Sequence, residues 1–147
     1  MSTPSRRLRE PDISTTYLLG RAHKVLNERI RQGVVAAGHP IRAAHAAVFV
    51  TIDREGSRLT RLAERAAMTP QAMGELVDDL VARGYLERVP DPADRRAKLI
   101  MLTDLGFQAL QAAFDTILEI EAELRAELGA GGLTKLQRGL RRLAPDD

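Results

Sequence analysis

The stretch from Gly84 to Thr103 constrains this chain most, because the hydrophobic period changes there. Before it, apolar residues recur every three to four positions, the spacing of one helix face. Within it, "YLERV" at 85–89 alternates and "AKLIML" at 97–102 is a short apolar run flanked by polar turn residues, so two strands form a hairpin. A tight hairpin would favour an Asn-Gly pair at its tip. This one carries Asp94, Arg95, Arg96 and Lys98.

Helical spacing accounts for nearly everything else. A first helix starts at Asp12 or Ser14 as N-cap, carries Leu19, Ala22, Leu26, Ile30 and Val34 as one apolar stripe, and stops at "GHP", 38–40. Ile41, Ala44, Val48 and Ile52 predict a second helix over 41–53, and Leu62, Ala63 and Ala66 a short third over 60–67. The fourth opens at Thr69-Pro70, a cap followed by the residue best suited to the first helical position, buries Met73, Leu76, Val77 and Leu80, and closes at Gly84. After the hairpin, Thr103 caps a long helix with Leu110, Phe114, Ile117, Leu124 and Leu128 on one side; "GAGG" at 129–132 ends it before a short sixth helix. The order α-α-α-α-β-β-α-α describes a mainly α (α+β) fold.

At 147 residues the chain forms one domain. Its scarce aromatics leave a core of Leu, Ala, Val and Ile, which suits helices. With no cysteine there is no disulfide or thiolate metal site, and three histidines lack a ligand spacing. The expectation is a cytoplasmic protein without cofactor or metal, since neither a membrane span nor a signal peptide is evident. The net charge is only +2, but arginines cluster at 6, 7 and 9, at the hairpin, and at 138, 141 and 142. Distribution matters more than the sum.

The third and fourth helices are joined by so few residues that they must cross steeply, as in a helix-turn-helix. Leu62, Ala66, Met68, Met73 and Leu76 are expected in their shared core, with small Ala63 at the closest approach. The turn at Ala67 normally wants glycine for a positive φ, and alanine there would cost about 1 kcal/mol, so either the turn is built differently or that strain is tolerated. A helix-turn-helix followed by a hairpin with a basic tip is a winged helix, whose fourth helix enters the major groove while the tip reaches phosphates or the minor groove.

The run "RLTRLAERAAMTPQAMGELVDDLVARGYLERVPDPADRRAKLIMLTDLG" resembles the MarR family of winged-helix transcriptional regulators, most specifically in Asp91, Asp94, Arg96, Leu102, Thr103 and Gly106. The resemblance implies that Arg96 enters the minor groove, Asp94 buttresses its guanidinium, and Arg95 and Lys98 contact phosphates. Two features depart from the family pattern: Ala93 stands where another arginine is common, and the fourth helix carries Glu75, Asp78 and Asp79 against Arg83 alone, with Gly74 in its interior. Thr69, Gln71 and Ala72 are the expected groove-facing residues, Gln71 suiting an adenine edge and Ala72 a thymine methyl. Arg58, Arg61 and Arg65 are candidates for the DNA backbone.

A winged helix alone needs fewer than about 100 residues. The terminal helices, over 13–38 and 104–147, are therefore expected to dimerise, flanking a winged-helix core over 41–103, with 1–12 a flexible arm. The family resemblance adds a small phenolic or anionic effector, for which Tyr17, His23, Arg42 and His45 are candidates. No P-loop, dinucleotide fingerprint, Gly-x-Ser-x-Gly or His-Glu-x-x-His motif occurs, so no catalysis is expected. The expectation is a homodimeric, sequence-specific DNA-binding repressor responsive to a ligand. A protein-interaction module with weak or no DNA binding is the alternative, favoured by the acidic fourth helix.

Overall fold

In the computed structural model, which describes residues 11–144, helix α1 (Thr15–Ala36) begins where the Ser14 hydroxyl accepts the Tyr17 N–H at 3.3 Å. Ser14, not Asp12, is therefore its cap. Arg6, Arg7 and Arg9 of the predicted arm lie outside the described residues. The apolar stripe of α1 is covered only toward its end: Val34 is buried, Leu26 and Ile30 are half-buried, and Leu19 and Ala22 are exposed.

The predicted second helix is much shorter than 41–53. A 3-10 turn (Ala43–His45) leads into α2 (Ala46–Phe49) and no further. Thr51 accounts for the stop, because its hydroxyl donates to the carbonyls of Ala47 at 2.7 Å and Val48 at 3.2 Å, offering the backbone an alternative to another turn. Ile41 and Ile52 pack on the core from the flanking loops, which gives them helical spacing without a helix. Ser57 then exchanges backbone hydrogen bonds with Ile100 at 3.0 and 2.8 Å, a bridge to the hairpin that no local pattern announces.

Helix α3 (Leu59–Arg65) and helix α4 (Pro70–Ala82) form the helix-turn-helix. Leu62, Ala63 and Met73 are buried where they meet, with Ala66, Met68 and Leu76 packed against them. Thr69 caps α4 by accepting the Ala72 N–H at 3.2 Å, with Pro70 in the first turn. Strand β1 (Leu86–Asp91) pairs antiparallel with β2 (Asp94–Leu102), both longer than the alternation indicated. Helix α5 (Asp104–Leu143) is capped by Thr103 and interrupted at Gly129, where φ is 71° and ψ is 158°. The predicted sixth helix is the arm beyond that bend; it turns back on the first arm, and the Gln137 amide donates to Glu121 at 3.1 Å. No helix is long and apolar enough to cross a membrane, among the described residues.

Three helices end in the same way. After α1, α3 and α4 the residue past the cap has positive φ, and the next N–H reaches back to a carbonyl five residues earlier: His39 to Val34, Met68 to Ala63, Tyr85 to Leu80. This is the Schellman arrangement. Glycine holds the left-handed position at 38 and 84, but at the turn of the helix-turn-helix it is Ala67, with φ of 50°. Ala67→Gly should therefore raise stability by roughly 1 kcal/mol, relief of the left-handed penalty outweighing glycine's extra unfolded-state freedom. Urea unfolding measures it, and a midpoint no higher than wild type would show that the turn is unstrained.

Candidate nucleic-acid interface

The first turn of α4 presents Thr69 and Gln71 to solvent, with Ala72 half-buried behind them. The Thr69 hydroxyl accepts the cap hydrogen bond, whereas Gln71 has no side-chain partner among the described residues. Further along, the acidic character of α4 is largely cancelled from within. Arg88 on β1 donates to Asp78. Asp79 gathers Arg42 at 2.8 Å, His45 at 2.7 Å and Arg83 at 3.0 Å. The Arg83 guanidinium, with His45 and Arg42, holds Asp79 down to about 2 against the opposing effect of burial. Glu75 alone of the three stays exposed without a side-chain partner, among the described residues.

His45 is fully buried. Its Nδ1 accepts the Arg42 backbone N–H at 3.1 Å, so the proton sits on Nε2 and is donated to Asp79. Burial pushes the His45 pKa down, reinforced by Arg42 and Arg83, and outweighs the pull of Asp79. The ring is thus a neutral tie between the 3-10 turn and α4.

The predicted effector residues do not form one crevice. Arg42 and His45 come together, but on Asp79. His23 hydrogen-bonds Asn27 at 2.9 Å and lines a cleft between α1 and α5 with Leu26, Ile30, Ile117 and Leu124, while Tyr17 is exposed in the first turn of α1.

At the wing, Pro92 and Ala93 make the turn, and the Asp91 carboxylate accepts the Ala93 N–H at 2.9 Å. The ladder keeps register from Leu86↔Leu102 to Pro90↔Lys98, then jumps to Asp91↔Asp94. Arg95, Arg96 and Ala97 consequently bulge out of β2 with no partner in β1. Arg95, Arg96 and Lys98 are exposed, and none makes a side-chain hydrogen bond or ion pair among the described residues. The expected grip of Asp94 on the Arg96 guanidinium is not present. Asp94 accepts the Arg96 backbone N–H at 3.1 Å, because a carboxylate two residues earlier reaches the main chain before the far end of a long side chain.

The three arginines expected at the DNA backbone each pair with a carboxylate of the protein itself. Arg58 donates to Asp91 through Nε at 2.8 Å and Nη2 at 2.6 Å. Arg61 pairs with Glu64 at 3.0 Å. Arg65 bonds the Thr51 carbonyl at 2.7 Å and Asp53 at 2.9 Å, which lowers the Asp53 pKa, helped by Ser57. Asp91, known from the sequence only as a motif position, proves to be the anchor of the wing turn; its partner lies 33 residues away, beyond any local signal.

A MarR-family sequence model matches residues 39–97, from the loop after α1 into the wing. Among solved structures, a MarR-family transcriptional regulator from Rhodococcus sp. RHA1 is 23% identical, covering 88% of this chain and 91% of its own at a TM-score of 0.69. Wild-type apo MarR from E. coli is 22% identical over 92% and 100%, with a TM-score of 0.72. The transcriptional repressor CouR, solved on a 23-mer DNA duplex, is 26% identical over 89% and 92%, with a TM-score of 0.72. The winged-helix core of the chain thus matches the MarR family over that segment, and the described chain shares the fold of these regulators. No curated protein sequence matches it. The matched segment takes in the helix-turn-helix and the wing as far as Ala97, whereas the end of β2 and the whole of α1 and α5 lie outside it.

The buried imidazole has a measurable consequence. With the folded-state pKa of His45 below its ordinary 6.5, its contribution to stability is complete above that pH and is lost as pH falls through the folded value, because the unfolded chain binds the proton first. Denaturant melts between about pH 5 and 8 should show wild-type stability declining on the acid side, and a flatter profile for His45→Gln. Parallel profiles would remove His45 as the cause.

Proposed function

We propose that this chain is a MarR-family transcriptional regulator, a homodimeric, sequence-specific DNA-binding repressor whose hold on DNA responds to a small phenolic or anionic ligand. The observation that carries the reading is the wing bulge: Arg95, Arg96 and Lys98 are exposed and unpaired in a molecule whose arginines on α3 are engaged internally. Free cations on a protruding hairpin suit phosphates and the narrow minor groove. The repressor CouR is itself solved on DNA, and CouR from Rhodococcus jostii RHA1 on p-coumaroyl-CoA. The protein-interaction alternative drew on the acidity of α4. With Asp78 and Asp79 both paired, that argument loses its ground, and a binding rather than catalytic role remains.

Dimerisation is supported by apolar surface on the terminal helices. Tyr17, Leu18 and Val25 on α1, and Leu118, Leu136 and Leu143 on α5, are at least 44% exposed, more apolar area than one small domain leaves in water without a partner. A two-fold dimer would set two α4 helices about one DNA turn apart.

A mobility-shift assay with DNA flanking the protein's own gene should give a specific complex that weakens steeply with salt; no complex at low salt would sink the proposal. In a folded Arg96→Ala variant, binding should weaken by roughly 1–3 kcal/mol per half-site, and unchanged affinity would reject the minor-groove assignment. Sedimentation at micromolar concentration is expected to show a dimer, and a monomer would contradict the role given to α1 and α5.

A further inference from the structure

We infer that Arg58 and Asp91 form a strut that holds the wing in place on α3, so that Arg58 serves DNA binding as a positioning residue and not as a phosphate contact. This inference rests on the DNA-binding reading above. Arg58 occupies the N-cap of α3 and makes no side-chain cap hydrogen bond, at a position where Ser, Thr, Asp or Asn would satisfy a free N–H. The helix forgoes that cap, and the side chain reaches across to β1. Both Nε and Nη2 meet Asp91 Oδ2, at 2.8 and 2.6 Å. The other oxygen of the same carboxylate holds the Ala93 N–H at 2.9 Å, so one buried group joins α3 to the wing turn. Beyond Pro90↔Lys98 the ladder gives little help, since Arg95, Arg96 and Ala97 have no partner in β1. Asp91 also places a negative charge at the base of the turn that carries Arg95 and Arg96. Such a charge weakens attraction to phosphate unless it serves to hold the cations in place.

The two roles for Arg58 predict opposite signs for Asp91→Asn, which removes the charge but keeps an oxygen for the Ala93 N–H. If Arg58 were a phosphate contact restrained by Asp91, the variant would bind DNA more tightly. The strut predicts weaker binding, by about five- to tenfold, with Arg96→Ala costing less in this background than in wild type. Amide exchange in the free protein should quicken at 93–98 and stay unchanged in α4. Equal or tighter DNA binding, or strictly additive losses, would overturn the strut. Should Asp91→Asn fail to fold, Arg58→Gln leaves the turn carboxylate intact and must still quicken wing exchange; unaltered exchange there overturns the proposal. Wild-type protein that binds no DNA would defeat the DNA-binding reading alone, while the exchange measurement still decides the strut.

Discussion

Asp79, half-buried in the last turn of α4, takes hydrogen bonds from Arg42, His45 and Arg83 on its two oxygens. Two of those donors belong to the segment before α2 and the third to the end of α4 itself, so a single carboxylate ties the recognition helix to the layer behind it. Its arrangement depends on a neutral His45, since only an unprotonated Nδ1 can accept the Arg42 backbone N–H while Nε2–H donates to Asp79. Apolar packing by Met73, Val77 and Leu80 supplies burial, which is non-directional. The hydrogen bonds supply what burial lacks, a fixed rotation of α4 about its own axis. With that rotation set, Gln71 at the other end of the helix faces solvent, and Asp78 and Asp79 meet their partners.

What could be read in advance was what the chain decides locally. The caps at Ser14, Thr69 and Thr103, the stops at Gly38 and Gly84, the left-handed alanine at 67 and the break at Gly129 are each settled within about five residues, and each occurs where the residue types place it. The second helix is shorter than its pattern implies because Ile41 and Ile52 have helical spacing and pack on the core from loops, while the Thr51 hydroxyl offers the backbone an alternative to another turn. The electrostatic partners were not legible. Arg58 and Asp91 are separated by 33 residues, and Arg42 and Asp79 by 37; only the tertiary fold decides which arginine is internal and which is free.

That sorting changes how the charge of the molecule is understood. Basic and acidic residues number 22 and 20, a near balance that says little about affinity for a polyanion. Arg42 and Arg83 share Asp79, while Arg58, Arg65 and Arg88 pair with Asp91, Asp53 and Asp78. The balance is therefore maintained inside the scaffold, and the wing is left with a local excess of positive charge. An attractive field for DNA thus requires no basic fourth helix, only that most of its acids be paired, as Asp78 and Asp79 are, and that the wing cations be left alone.

The same sorting of roles links the terminal helices to the interface. Thr103 caps α5 by accepting the Gly106 N–H at 3.1 Å, and its hydroxyl donates to the Gly84 carbonyl at the end of α4. The Thr103 N–H bonds the Tyr85 carbonyl at 3.1 Å, and a Cβ at Gly106 would lie 2.2 Å from that carbonyl oxygen. The end of α4, the start of β1 and the start of α5 therefore meet in one hydrogen-bonded joint with no room for even a methyl group. A close-packed joint of this kind transmits displacement instead of absorbing it. Any change in how α5 sits against a second copy would be carried through Thr103 and Gly106 to the C-terminal end of α4, while Asp79 fixes the rotation of that helix. In the proposed dimer α4 would then move with α5 as a body, and the spacing of two such helices would be a property of the terminal helices that lie outside the winged-helix core.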